Sequence, residues 1–295
     1  MPLASAALIV RNEEPLLPGC LESLRGLVDE LVVVDTGSTD RTREVAARFG
    51  ARLLEIPWRD DFAAARNVAL GAATGDWILV IDADERVVST DDDRVRTRLV
   101  MPNPPNLLLV EMALPFPDGR VEQALLPRWI RRQSGIRFRF PVHEQVDVCD
   151  ETAADSQVRL RHVGYMDQQS VLRKEARNLA IAEAMEPGPH AWHCIARAAF
   201  SLGQWDRVVT AGRAVGERAG QPGPAVRETA VLAAAAAFNQ RDLTSMAEFV
   251  LTSSANEPDH PDVRYAEAVL ATARYVAAGG NALLKLVNVA CENVK

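Results

Sequence analysis

The sequence predicts an α/β fold with a mixed, mainly parallel sheet and helices on both faces, followed by an all-α region. Short apolar, β-branched runs alternate with segments of helical spacing between residues 6 and 81, and several runs end at polar or acidic residues. Such alternation is typical of doubly wound sheets. From residue 169 onward the chain is rich in alanine-containing helical segments and has no strand-like run.

The boundaries of each early element follow from residue type. Strands are predicted at unbroken apolar runs, which indicate burial on both faces of a sheet. Helices are predicted where apolar residues recur at helical spacing, with the polar turn 36–40 as a cap and Gly50 as a C-terminal stop. The predicted strands are 6–10, 30–35, 51–56 and 77–81, and the predicted helices are 16–27, 41–49 and 62–73.

After Arg86 the pattern is looser. A helix is predicted before the proline cluster 102–105, which must end it. Two later runs flank the turn Pro117-Asp118-Gly119, which predicts an antiparallel extension of the sheet. The predicted helix is 90–100, and the predicted strands are 107–114, 123–130, 136–142 and 158–163. We therefore predict one domain at 1–167 and a second at 168–295.

The second domain has a repeated spacing. Gly203, Arg241 and Gly279 lie at turn-like spots, 38 positions apart each time. Such recurrence indicates stacked helix pairs, with a partial match to the tetratricopeptide repeat around Trp192. This domain could bind an extended peptide or a partner protein, join two copies of the chain as a homodimer, or be a structural cover.

Length and composition fit an ordinary globular protein. The chain has 295 residues, of which 48% are hydrophobic and 25% charged. No apolar run could span a bilayer, and the N-terminus lacks a signal-like basic segment, so we expect a cytoplasmic protein without a transmembrane segment. The net charge of −7 argues against nucleic acid as a partner, although arginines cluster between residues 128 and 139. Scattered cysteines argue against a zinc site or disulfides.

The strand predicted at 77–81 stops at Asp82-Ala83-Asp84-Glu85. Ligands of open α/β sheets bind outside the carboxyl ends of the strands, so Asp82 and Asp84 are expected to face a crevice. Carboxylates at this spacing suit a Mg²⁺ or Mn²⁺ ion that also holds phosphate oxygens. The alternative is a solvated acidic turn.

Other polar loops follow neighbouring strands and should converge on the same crevice. They are Arg11-Asn12-Glu13, the Asp35 to Asp40 turn and Arg66-Asn67. Asp35 can accept a hydrogen bond from a base or a ribose, and Arg66 can neutralise a phosphate. The alternatives are a helix cap at Asp40, a surface charge at Arg66 and a turn former at Asn67.

Together these motifs resemble family 2 glycosyltransferases of the GT-A fold. The carrying segments are Val10-Arg11-Asn12-Glu13, Val33-Val34-Asp35-Thr36-Gly37-Ser38-Thr39-Asp40, Ala65-Arg66-Asn67 and Asp82-Ala83-Asp84. Thr36 departs from the commoner second Asp. The resemblance implies a nucleoside-diphosphate sugar donor, a UDP-sugar first, with Asp35 near the base, Asp82 near the ribose and Asp84 on Mn²⁺ or Mg²⁺. The implied donor residues are Val10, Arg11, Asn12, Glu13, Asp35, Arg66, Asp82, Ala83 and Asp84.

A narrower resemblance covers nearly the whole chain. The segments 57–62, 142–145 and 162–165, followed by helical repeats, are similar to bacterial peptide glycosyltransferases that modify bacteriocins and to lipopolysaccharide-core glucosyltransferases. It implies Glu144 as the base, with His143 as the alternative. It also implies a metal held by Asp84 and His162, with Asp82 as a further ligand. Both histidines could instead be purely structural.

The sequence therefore predicts a metal-dependent inverting glycosyltransferase of the hexosyltransferase type. The acceptor would be a hydroxyl or thiol of a peptide, a glycan or a small natural product. One alternative is a non-catalytic, nucleotide-sensing scaffold whose repeats bind a partner protein. Another is a nucleotidyltransferase, which would need a glycine-rich, basic phosphate loop that the segment 11–15 does not provide.

Overall fold

The computed structural model describes residues 2–89, 92–101, 103–115, 121–146, 154–163, 168–217, 223–256 and 258–277. The chain divides into two compact units, Met1–Ser170 and Val171–Lys295. The domain boundary predicted after residue 167 lies outside the described residues and stays a prediction, as do the predicted turn at 117–119 and the third repeat turn at Gly279.

The first unit contains an eight-stranded sheet in the order β3-β2-β1-β4-β7-β6-β10-β5. Neighbours within β3-β2-β1-β4 are parallel, β7 is antiparallel to β4 and β6, and β10 is parallel to β6 but antiparallel to β5. A short antiparallel pair, β8 and β9, lies outside this sheet. The strands are β1 Ala4–Val10, β2 Glu30–Asp35, β3 Arg52–Glu55, β4 Trp77–Val80, β5 Glu85–Ser89, β6 Leu107–Pro115, β7 Val121–Arg131, β8 Phe138–Arg139, β9 Gln145–Val146 and β10 Ala154–His162.

Helices cover both faces of this sheet. Side chains alternate between faces along a strand, so Leu8 and Ala7 of β1 belong to separate apolar clusters. The Leu8 cluster includes Leu21 of α1 and Ala46 of α2, whereas the Ala7 cluster includes Leu70 of α3. The helices of this unit are α1 Leu17–Ser23, α2 Thr42–Arg48, α3 Phe62–Ala72 and α4 Asp92–Leu99. The predicted fold class, including the antiparallel extension, is confirmed.

Two parts of the first unit differ from the prediction. The strand predicted at 136–142 is reduced to β8, because Phe140 has a left-handed backbone angle, φ 72°, that an extended strand cannot contain. Strand β5 was not predicted, since its first residues, Glu85 and Arg86, are charged. Both differences lie beside the residues that the sequence marks as functional.

The second unit is helical in the part that the structure describes. Its helices are α5 Gln168–Glu183, α6 Pro189–Ser201, α7 Trp205–Gly216, α8 Pro224–Asn239, α9 Leu243–Asn256 and α10 Pro261–Ala277. Gly203 follows α6 and Arg241 follows α8, and both have nearly the same left-handed backbone, φ 68° and 61°. The following residues repeat the same 6→1 hydrogen bond, since Gln204 N–H donates to Ala199 O at 2.8 Å and Asp242 N–H to Ala237 O at 2.9 Å. The predicted 38-residue recurrence is confirmed for these two turns.

No helix in the described ranges combines the length and the apolar character needed to cross a membrane.

Gly212 lies where α7 approaches α8 and α9 most closely. A Cβ at this position would lie 2.3 Å from Ala233 Cβ and 3.0 Å from the Phe249 ring. We expect Gly212→Ala to lower the free energy of unfolding by about 1–3 kcal/mol through overpacking, measured by urea denaturation.

Gly216 on the same helix provides the matched control, because its added Cβ would meet Thr252 Oγ1 at an ordinary 3.7 Å. Gly216→Ala should leave the urea midpoint nearly unchanged or raise it slightly. Equal midpoints for the two variants would show that the helices separate easily at Gly212.

Candidate active site

The loops after β1 and β2 are tied together at the carboxyl edge of the sheet. Asn12 N–H donates to Ser38 Oγ at 2.9 Å, and Thr39 N–H donates to Asn12 Oδ1 at 2.8 Å. Glu13 N–H donates to Thr42 Oγ1 at 2.7 Å at the start of α2. The predicted residues Asn12 and Glu13 are therefore part of one fixed rim. This rim joins the first two polar loops, as expected from their position after parallel strands.

Val10, Arg11 and Thr36 lie on the same rim. Val10 is buried, and its carbonyl accepts hydrogen bonds from the Thr36 N–H at 2.9 Å and from Thr36 Oγ1 at 3.1 Å. Arg11 is exposed. The threonine that departs from the family pattern thus links the ends of β1 and β2 rather than facing a ligand.

Asp35, at the end of β2, is 1% exposed. Its Oδ1 accepts hydrogen bonds from the backbone N–H groups of Gly37 at 3.1 Å and Ser38 at 2.9 Å. Its Oδ2 is also buried and has no hydrogen-bond partner in the part of the chain that the structure describes. A buried carboxylate oxygen without a partner costs free energy, so a ligand N–H or O–H is the chemistry that suits this atom.

The acidic segment after β4 forms a closed turn. Glu85 N–H donates to Asp82 O at 3.0 Å, and Asp82 N–H donates to Glu85 Oε2 at 2.9 Å. The other oxygen, Glu85 Oε1, accepts from Arg128 Nη2 at 2.7 Å. Burial raises the pKa of Glu85 to about 7, against the opposing effect of the Arg128 charge. Glu85 therefore closes the turn from inside and does not face the crevice.

Asp84 lies beside His162. The Asp84 Oδ2 and His162 Nε2 atoms are 3.3 Å apart, and the two side chains are 12% and 13% exposed. The pairing of β5 with β10 places His162 opposite Glu85, and the Val163 N–H donates to Asp84 O at 2.8 Å. The antiparallel edge of the sheet thus brings together two of the residues that are predicted to be metal ligands.

These two side chains suit a divalent cation, as the fold family implies. A carboxylate oxygen and an imidazole nitrogen in contact are a pair of donors that Mn²⁺ accepts. Within the described ranges, no group of three His, Cys, Asp or Glu side chains is placed to hold a metal. Asp82, the third predicted ligand, is therefore not gathered with Asp84 and His162, and its carboxylate faces Arg66 and Arg128.

Arg66 on α3 joins two carboxylates. Its Nη2 lies 2.9 Å from Asp82 Oδ1, and its Nε donates to Glu144 Oε1 at 2.5 Å. The guanidinium carbon is 5.6 Å from the centre of the Phe138 ring. Burial disfavours the charged form, but Asp82 and Glu144 outweigh it and raise the pKa of Arg66. Arg66 is a buried, permanent cation between the two acids.

The same contacts act on Asp82. Burial raises its pKa and Asp84 adds to this, but the charges of Arg66 and Arg128 and the Arg66 hydrogen bond bring the pKa below its usual range. Arg66 Nη1 is buried and has no hydrogen-bond partner among the described residues. Like Asp35 Oδ2, this atom is suited to a ligand, and in this case the ligand atom must be an acceptor.

Glu144 reaches Arg66 because α3 holds the segment that precedes it. Asn67 Nδ2 donates to Phe138 O at 2.9 Å, and the Phe138 N–H donates to Asn67 Oδ1 at 2.9 Å. The Phe62 N–H donates to Pro141 O at 2.8 Å, next to the left-handed His143. Asn67 is thus neither a simple turn former nor a phosphate ligand, because its amide fixes the segment that carries Glu144.

The sequence suggests Arg128 only as a further cation beside Arg66, and Glu85 only as a supporting residue. Arg128 is 15% exposed and lies within 3.7 Å of Asp82 Oδ2 as well as on Glu85. The signal for Arg128 in the sequence is its place beside the apolar residues Trp129 and Ile130 of a predicted strand. A charged residue at such a place must find a buried partner. Ala83 is 3% exposed and contributes its backbone to the turn.

Comparisons with known proteins agree with this geometry. Residues 5–92 match the model of glycosyl transferase family 2. An uncharacterized glycosyltransferase of Rickettsia felis is 35% identical over 95 residues, covering 32% of this chain and 33% of that protein. A TPR repeat-containing protein of Synechococcus elongatus is 46% identical over 147 residues, covering 50% of this chain and 36% of that protein. The chain spans about a third of the length of these curated relatives.

The crystal structure of S. aureus TarS is similar to this chain, with a TM-score of 0.50 and 15% sequence identity. The match covers 85% of this chain and 55% of the TarS chain. At that identity the likeness concerns the fold. The family match and this likeness confirm the resemblance to family 2 glycosyltransferases of the GT-A fold, and the TPR-containing relative agrees with the helical repeats.

Proposed function

We propose that this chain, whose residues 5–92 carry a glycosyl transferase family 2 segment, is a metal-dependent inverting glycosyltransferase. It would move a sugar from a nucleoside diphosphate to a hydroxyl or thiol acceptor. The observation that carries the proposal is the Arg66 bridge, which joins Asp82 on the donor side to Glu144, the candidate base, through contacts of 2.9 and 2.5 Å. One buried cation, Arg66, therefore contacts both the carboxylate on the donor side and the candidate base.

The donor would lie along the rim formed by the loops after β1 and β2. Asp35 Oδ2 accepts an N–H of the base, and the imide N–H of uracil suits a single buried acceptor, which makes a UDP-sugar the first candidate. Asp82 accepts the ribose hydroxyls. The buried Arg66 Nη1 donates to a phosphate or sugar oxygen, which supplies the acceptor that this atom lacks among the described residues.

Asp84 and His162 would hold Mn²⁺ or Mg²⁺, and Asp82 would act through the water shell of the ion rather than as a direct ligand. The bound ion supplies charge neutralisation for the diphosphate leaving group. The imidazole favours Mn²⁺ over Mg²⁺, since Mg²⁺ selects oxygen ligands and water. The residues of the chain add the fixed cation Arg66, which is already desolvated before the bond breaks.

Glu144 is the proposed base. Glu144 would take the proton from the hydroxyl or thiol of the acceptor substrate. At the same time this hydroxyl or thiol attacks the anomeric carbon from the side opposite the diphosphate, so the configuration inverts. Arg66 holds one carboxylate oxygen, Oε1, and thereby orients the group. His143, the preceding residue, is the second candidate. The acceptor would belong to a peptide, a glycan or a small natural product, with the helical unit presenting it or joining two copies of the chain.

A thermal-shift panel of nucleoside diphosphates with Mn²⁺ tests the proposal. We expect UDP with Mn²⁺ to stabilise the protein by about 2.7 kcal/mol at one hundred times its dissociation constant, because a ligand of the folded state stabilises by mass action. Stabilisation should shrink when EDTA replaces Mn²⁺.

Asp35→Asn provides the control for recognition of the nucleobase. The substitution replaces one carboxylate oxygen of Asp35, a hydrogen-bond acceptor, with an amide donor. It should weaken the binding of UDP far more than the binding of inorganic pyrophosphate. A wild-type protein whose unfolding temperature responds to none of the nucleotides would contradict donor binding. Binding without any sugar transfer or donor hydrolysis would favour a nucleotide-sensing scaffold.

A further inference from the structure

The turn from Asp82 to Glu85 is held by its carbonyl oxygens. Asp82 O accepts from Glu85 N–H at 3.0 Å and from Cys20 Sγ at 3.3 Å, and Asp84 O accepts from Val163 N–H at 2.8 Å. The remaining two carbonyls, of Ala83 and Glu85, accept from one atom, Nη1 of Arg86, at 2.8 and 2.7 Å. Every carbonyl of the turn therefore has a donor.

Arg86 also connects this turn to the start of α1. Its Nη2 donates to Leu16 O at 2.6 Å. The guanidinium fits against α1 because residue 19 is a glycine, where an added Cβ would lie 2.7 Å from Arg86 Nε and 2.9 Å from Nη2. The helix α1 and the acidic turn thus share one cation, and the absence of a side chain at Gly19 makes room for it.

We propose that Arg86 is a positioning residue for the Asp82–Asp84 turn, and that Gly19 is required to seat it. This inference rests on the proposed function, since it concerns how Asp84 is oriented for the cation and the diphosphate. Arg86 contacts carbonyl oxygens of the turn and not its carboxylates, so it acts through the backbone.

The physical argument is the burial of the two carbonyls. Ala83 and Glu85 are 3% and 1% exposed, so their carbonyls have almost no access to water in the folded turn and rely on Arg86 as their donor. Losing a hydrogen bond from a charged donor to a buried acceptor is unfavourable enough to change the backbone. Asp84 lies between these two residues, and its carboxylate would move with them.

The experiment measures UDP binding by calorimetry at a fixed, subsaturating Mn²⁺ concentration, with thermal unfolding alongside. Arg86→Met removes the donors, and Gly19→Ala displaces the guanidinium without removing it. We expect each to weaken UDP binding about 10-fold or more, as for the loss of residues that orient metal ligands. Excess Mn²⁺ should restore most of this loss. The double variant should be no weaker than Arg86→Met alone, because both changes break one interaction.

Gly71→Ala is the matched control, since nothing lies within 4 Å of its added Cβ on α3. It should bind UDP as the wild type does. If Gly19→Ala and Arg86→Met only lower the unfolding temperature, or if their effects on binding add, the positioning inference is overturned. Wild-type protein that binds no nucleoside diphosphate would instead overturn the proposed function itself.

Discussion

Asp84→Ala should lower metal-dependent sugar transfer by at least about 100-fold and leave the fold intact. The size of this loss follows from removing a preorganised group that helps to stabilise the charge developing on the leaving diphosphate. Asp84 contacts His162 at 3.3 Å, so the variant removes the carboxylate from the proposed pair of metal ligands, and a single imidazole ligand binds Mn²⁺ weakly. The measurement is turnover of a UDP-sugar against Mn²⁺ concentration, with thermal unfolding as the check on folding.

Asp76→Ala is the matched control for this prediction. Asp76 precedes the same strand, β4, at its opposite end, where its half-exposed carboxylate is 3.6 Å from Arg132. Its removal should leave turnover unchanged, since surface ion pairs contribute little. Normal turnover by Asp84→Ala would remove the central assignment, whereas a loss shared with Asp76→Ala would indicate a general defect.

Glu144→Gln should keep donor binding but lower transfer by about 100-fold or more, the usual contribution of a positioned base. The contact with Arg66 makes Gln the informative replacement. Glu144 Oε1 accepts from Arg66 Nε at 2.5 Å, and a glutamine carbonyl keeps that acceptor while losing the basicity. An alanine would leave the buried guanidinium with one acidic partner fewer, and its effect on folding would hide the effect on catalysis.

The comparison variants are His143→Gln, for the alternative base, and Glu55→Gln, for an exposed carboxylate paired with Arg43 at 2.8 Å. Turnover and UDP affinity are measured separately for each. Unchanged turnover in Glu144→Gln together with a loss in His143→Gln would move the base to His143. A loss of UDP affinity in Glu144→Gln would mean that Glu144 acts by holding Arg66.

Periodicity and residue type predicted the strands and helices that place the loops, because these depend on local alternation of apolar and polar residues. The same reasoning located Asp35, Asp82 and Asp84 at strand ends. It did not predict the partners. Arg66 and Glu144 are 78 residues apart in the sequence, and the Asn67–Phe138 contact helps to bring them together. Contacts of this kind depend on tertiary packing and leave no period in the sequence.

Helix α3 has a consequence for the order of events. It carries Arg66 and, through Asn67, also fixes the strand that precedes Glu144. A donor that draws Asp82 away from Arg66 would change the charge next to Glu144 without touching it. By thermodynamic reciprocity, the state of Glu144 must then alter donor affinity by the same factor. One helix would thus make the acceptor half of the reaction sensitive to whether the donor has arrived.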